Sequence, residues 1–124
     1  MMRDHMGRVV YLCSDLLFTS KIRETARQLG LDTTAVRDAA ALLEAARGAD
    51  AVILDLRLPI ALDALRRLRA EPATAAVPAI GFCEHERVDH MAEARAAGCD
   101  RVLAKGRFST ELPHLLAPGE ARAT

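Results

Sequence analysis

Short apolar runs alternate with segments of helical spacing along this chain. Arg8–Cys13 (RVVYLC) is β-branched and apolar and predicts a first strand. Thr19–Leu29 spaces Ile22, Ala26 and Leu29 along one helical face, with Gly30 as its stop. Leu31–Val36 predicts a short edge strand, and Ala39–Arg47 a helix turning Leu42, Leu43 and Ala46 inward before Gly48. Ala51–Asp55 (AVILD) is apolar on both faces, as a central parallel strand requires, and Pro59 closes the loop that follows. Ala61–Ala70 puts Leu62, Leu65 and Leu68 on one face. Val77–Cys83 (VPAIGFC) predicts a strand with Pro78 near its start, Arg87–Ala97 a helix ended by Gly98, and Arg101–Ala104 a fifth strand. The last helix is expected over Thr110–Ala117, where Pro113 is tolerated only in the first turn.

Five strand–helix units without repeat or linker predict one α/β domain with a parallel sheet and helices on both faces. Its expected span is 8–117, after an N-terminal extension (1–7) and before a flexible tail (118–124). In such sheets function gathers at the carboxyl ends of the strands.

Composition narrows the partners. The 124 residues suit one domain, and with three Phe, one Tyr and no Trp the core must be built from Ala, Leu and Val. That leaves no stacking platform for single-stranded nucleic acid. Lys plus Arg and Asp plus Glu balance at 17 each without a block of like charge, so neither nucleic acid nor an anionic membrane is an expected partner. No apolar run reaches transmembrane length, and Met1–Arg8 lacks a signal-peptide core; a soluble cytoplasmic protein is the expectation. Cys13, Cys83 and Cys99 form no CxxC and read as reduced small hydrophobes, while His5, His85, His90 and His114 are too dispersed for a metal site.

At the strand ends stand Ser14-Asp15, Asp55, Cys83 and Lys105, one of only two lysines. Two carboxylates and one ammonium suit phosphoryl chemistry. Asp55 would be a carboxylate nucleophile, Asp15 and Asp55 would hold Mg²⁺, and Lys105 would neutralise the transferred group. Taken singly, each aspartate also reads as a turn or helix-cap residue, and Lys105 as a surface lysine.

The chain resembles the receiver domains of two-component response regulators over nearly all of Arg8–Leu116. AVILDLRLP (Ala51–Pro59) is similar to the phospho-acceptor segment, AGCDRVLAK (Ala97–Lys105) to the run into the family's lysine, and VPAIGFC to its fourth strand. The resemblance implies a doubly wound (βα)5 fold with strand order 2-1-3-4-5 and Asp55 as acceptor. It implies Mg²⁺ on Asp15, Asp55 and the backbone carbonyl of Arg57, with Lys105 beside the phosphoryl group. It implies a histidine kinase or phosphotransfer protein upstream and a protein partner downstream. That partner would dock on the face carrying Arg87, Arg95, Arg101 and Arg107, which suits an acidic surface. A homodimer stays open.

Several positions depart from the family pattern. Ser14 stands for the first of two acidic residues, which weakens Mg²⁺ binding. The switch positions hold Cys83 in place of a hydroxyl and Val102 in place of an aromatic. Gly106 replaces the proline after the lysine, so a trans peptide is expected there. The loop after Pro59 is about two residues short of the family's turn. Two readings follow: a stand-alone receiver phosphorylated on Asp55, and a pseudo-receiver that keeps the fold as an interaction module without the switch. An enzyme is not expected. A dehalogenase-type phosphatase needs a second Asp where Arg57 stands, and GxGxxG, Walker A and GxSxG motifs are absent. A redox role for Cys83 would require a near-neutral thiol.

Overall fold

The computed structural model describes residues 7–117; all but the last residue of the expected extension (1–7), and the whole of the expected tail (118–124), lie outside the described residues. The elements run β1 (Arg8–Leu12), α1 (Leu16–Gln28), β2 (Asp32–Val36), α2 (Ala39–Ala46), β3 (Ala51–Asp55), α3 (Ala61–Ala70), β4 (Ala79–Cys83), α4 (Val88–Ala96), β5 (Arg101–Ala104) and α5 (Lys105–Leu115). All strand pairs are parallel and the sheet order is β2-β1-β3-β4-β5. β3 lies in the middle and is buried along its whole length, which accounts for its unbroken apolar run.

Period-two alternation sorts the sheet into two cores. Val10, Leu12, Val52, Leu54 and Ala79 pack with Leu42, Leu65, Leu68 and Ala94 of α2, α3 and α4. Val9, Tyr11, Ile53, Ile80 and Phe82 pack with Ile22 and Ala26 of α1 and with Phe108, Leu112 and Leu115 of α5. Asp55 continues the alternation of Ala51 and Ile53 and so belongs to the α1/α5 side. Gly98 has φ +108°, and a side chain there would run into Arg69 Cγ at 2.9 Å. That close approach lets Arg69 bond the carbonyls of Gly98 and Val77 at 2.9 and 2.7 Å and the Asp100 carboxylate at 2.9 Å, which pins together the turns that lead into β4 and β5.

Two boundaries differ from the sequence expectation by several residues. α1 begins at Leu16 rather than Thr19. Leu16 and Leu17 are 84% and 82% exposed, so the first turn carries apolar side chains on its solvent side and the amphipathic pattern starts only later. The larger difference is α5, which begins at Lys105, five residues before the expected Thr110, directly on the end of β5. Pro113 therefore falls inside the helix and not in its first turn. An interior proline costs about 3 kcal/mol. Burying Phe108, Leu112 and Leu115 completely recovers about 1.5–3 kcal/mol for each, so the apolar face wins.

Candidate functional site

The carboxyl ends of β1 and β3 bring Asp15, Asp55 and Arg57 together. Asp55 is 2% exposed. Arg57 folds back over it. Its Nε–H donates to Oδ1 at 2.8 Å, its Nη2–H to Oδ2 at 2.9 Å, and its backbone N–H to Oδ1 at 3.0 Å. This is the two-pronged guanidinium–carboxylate pairing that gives arginine its geometric selectivity. The same Nη2 reaches Oδ2 of Asp15 at 3.4 Å. Leu56, between the pair, is buried in the opposite core and donates its N–H to the Phe82 carbonyl at 2.9 Å, so the turn is held from behind. On the α4 side, Nε2 of His90 bonds the Leu56 carbonyl at 2.6 Å.

Aromatic rings complete the seat. The Arg57 guanidinium carbon lies 5.3 Å from the Phe18 ring centroid and 5.4 Å from that of Phe82. Phe18 and Phe82 stack at 4.8 Å, and Phe82 stacks on Phe108 of α5 at 4.4 Å. A planar cation over ring faces adds attraction beyond the ion pair.

Charge states follow from these contacts. The fork to Asp55 raises the pKa of Arg57, burial opposing, with the nearby charges of Asp55 and Asp15 adding to the rise. Asp15 is held below the ordinary carboxylate range, first by the amide of Phe18, with a smaller share from Leu17 and Arg57. Its Oδ1 caps α1, accepting from the N–H groups of Leu17 at 2.9 Å and Phe18 at 3.3 Å. Half-buried Cys13 places Sγ 3.6 Å from Asp55 Oδ2. Burial, then the Asp55 carboxylate, pushes its thiol from 9.0 to about 11, although the backbone at Asp15 and the Arg57 charge oppose.

The other expected site residues do not bond the Asp55 carboxylate. Lys105 is exposed on the first turn of α5 and is not among the partners of Asp55. With no cis peptide among the described residues, Lys105–Gly106 is trans. Cys83 is fully buried in the α2/α3/α4 core, and burial, followed by Glu84, raises its thiol pKa, the opposite of what a reactive cysteine needs. Val102 packs half-buried against the same core. Of the arginines expected on a partner face, Arg107 pairs with Glu111 and Arg87 lies 3.9 Å from Glu84; Arg95 is exposed and Arg101 half-buried. The face is therefore not a continuous basic stripe.

Sequence reasoning used only the backbone of Arg57. It missed the side chain, together with Phe18, Phe82, Cys13 and His90. The signal for the first was present: an arginine two residues after a strand-end aspartate, across a single buried Leu56, can fold back onto the carboxylate. Phe82 looked like core and is core as well.

In this conformation the pocket does not fit a divalent metal. The free oxygen of Asp15 and Oδ2 of Asp55 converge on a guanidinium nitrogen, Asp15 Oδ1 is committed to the α1 amides, and Ser14 brings no charge. Among the described residues no group of three or more His, Cys, Asp or Glu side chains is placed to hold a metal ion. No helix among them is long and apolar enough to cross a membrane.

No protein-family model and no curated protein matches the chain. Solved structures do. The receiver domain of sensor histidine kinase PA1611 from Pseudomonas aeruginosa PAO1 is 25% identical, with TM-score 0.76 over 90% of this chain and 95% of that one, and has magnesium coordinated in its active-site cleft. The chemotaxis response regulator CheY4 of Vibrio cholerae is 17% identical, with TM-score 0.74 over 90% and 100% of the two chains. A response regulator from Hahella chejuensis is 21% identical, with TM-score 0.75 over 88% and 91%.

Proposed function

We propose that this chain, whose fold is that of response-regulator receiver domains, signals through protein contact while its acidic pocket stays closed by Arg57. The observation that carries this reading is the fork on Asp55. Oδ1 accepts two hydrogen bonds, and Oδ2 accepts one and faces the Cys13 thiol. A carboxylate with its lone pairs engaged and 2% exposure is a poor nucleophile toward an incoming phosphoryl group. The lysine that would neutralise that group opens α5 and makes no bond to the carboxylate. The stand-alone phosphorylated receiver requires Arg57 to leave both oxygens and two ring faces at once; the pseudo-receiver requires nothing to move.

Protein contact is supported by what the pocket's rim exposes. Leu16 and Leu17 lie almost bare beside Asp15, and Ile60, in the loop after Pro59, is 40% exposed and lines one groove with Leu16. Exposed apolar side chains gathered at one site mark contact surfaces more often than scattered ones do.

Intact-protein mass after incubation with Mg²⁺ and a small phosphodonor tests the reading. The wild type is expected to show no phosphate-sized gain and to match Asp55→Asn. A gain in the wild type that Asp55→Asn abolishes would establish Asp55 as an acceptor and overturn the closed pocket.

A further inference from the structure

We propose that the Arg57 guanidinium is the pocket's resident cation: it holds the place between Asp15 and Asp55 that a divalent metal would need, and the domain works without metal. This rests on the closed-pocket reading and deepens it by assigning the pocket's ligand to the chain itself.

The geometry of one atom makes the case. Nη2 of Arg57 is shared between Asp55 Oδ2 at 2.9 Å and Asp15 Oδ2 at 3.4 Å. Two carboxylate oxygens, one from the end of β3 and one from the cap of α1, thus point at one centre of positive charge. Magnesium and manganese favour such a place, since they take one or two carboxylates and complete their shell with water. The guanidinium is anchored against displacement. Nε–H holds the other oxygen of Asp55, and Phe18 and Phe82 cover the planar group. A metal entering this point would meet a like charge whose own pKa is raised by the same contacts.

The inference makes the metal site latent rather than absent. Removing the guanidinium leaves two carboxylates, one of them buried, without the cation that pairs with both here. Arg57→Met keeps an unbranched chain over the phenyl rings and removes the cation.

The test is a Mn²⁺ titration followed by paramagnetic broadening of amide signals in residues 13–15 and 55–57, on wild type, Arg57→Met and Arg57→Met/Asp15→Asn. Wild type is expected to show no selective broadening. Arg57→Met should bind at least about tenfold more tightly, and the double variant should lose the gain. In parallel, Mg²⁺ should raise the melting temperature of Arg57→Met and leave that of wild type unchanged. If Arg57→Met is unfolded alone, Mg²⁺ should restore its spectral dispersion. Selective broadening in wild type equal to that of Arg57→Met overturns the proposal, as does an Arg57→Met protein that neither binds Mn²⁺ nor responds to Mg²⁺. These failures are separable from failure of the closed pocket. Phosphate gained on wild-type Asp55 overturns both, whereas a metal-blind Arg57→Met overturns only the resident cation.

Discussion

Arg57→Ala destabilises the protein more than Asp55→Asn, by about 3–5 kcal/mol against roughly 1–3 kcal/mol. The asymmetry follows from which partner can reach water. The Asp55 side chain is 3% exposed at the end of the central strand, so without Arg57 it stays buried as an uncompensated charge. The Arg57 side chain is 21% exposed and lies on a turn. Without its partner's charge it can extend toward solvent and Asp15, and the asparagine oxygen still accepts one bond. Combining Arg57→Met with Asp55→Asn should cost less than the sum of the single changes, because each single change strands one charge of the pair and the double variant removes both. Urea unfolding in metal-free buffer checks this through shifts in midpoint at constant slope. If Asp55→Asn proved the costlier change, the pairing described for the pocket would be wrong.

Phe82→Ala is expected to cost about 3–5 kcal/mol, the range for truncating a fully buried aromatic. Phe82 is the middle ring of three, stacked on Phe18 at 4.8 Å and on Phe108 at 4.4 Å, so its removal breaks two ring contacts as well as opening a cavity. It also strips one of the two faces beneath Arg57. Phe18→Ala should cost clearly less, since Phe18 is only half-buried and lies at the rim. Thermal unfolding of the two variants separates them. A Phe82→Ala protein within about 1 kcal/mol of wild type would show that the stack contributes no more than ordinary surface packing.

The sheet could be read from the chain because its central strands, β3 and β4, carry apolar runs and are buried along their whole length on both faces. Ala51–Asp55 and Arg101–Ala104 match their expected bounds, and the edge position of Asp32–Val36 follows from its Thr-rich, half-exposed character. Helix ends were less legible for local reasons. Leu16 and Leu17 face solvent and hid the first turn of α1. Lys105-Gly106-Arg107 carries no side-chain cap and a glycine, so α5 shows its helical face only from Phe108 onward. In the site, position on a strand end was enough to bring Asp15 and Asp55 together. What local pattern did not reveal was use: Arg57 contributes its side chain, Phe82 turns toward the pocket while Cys83 turns into the other core, and Lys105 opens α5 without bonding Asp55. Those outcomes depend on which side of the sheet each residue faces and on side-chain reach, and spacing in the sequence carries only the first.

The most direct test of the resident arginine is the Nε–H signal of Arg57 in a ¹H–¹⁵N correlation spectrum of the uniformly labelled protein, assigned by its loss in Arg57→Lys. Bonded to buried Asp55 at 2.8 Å, that proton is expected to exchange slowly with water at neutral pH. It should stand apart from the solvent-exposed arginines and lose its protection in Asp55→Asn. An Arg57 Nε–H that exchanges as fast as those of exposed arginines, and is indifferent to Asp55→Asn, would mean that the pocket is open and that the guanidinium does not hold it.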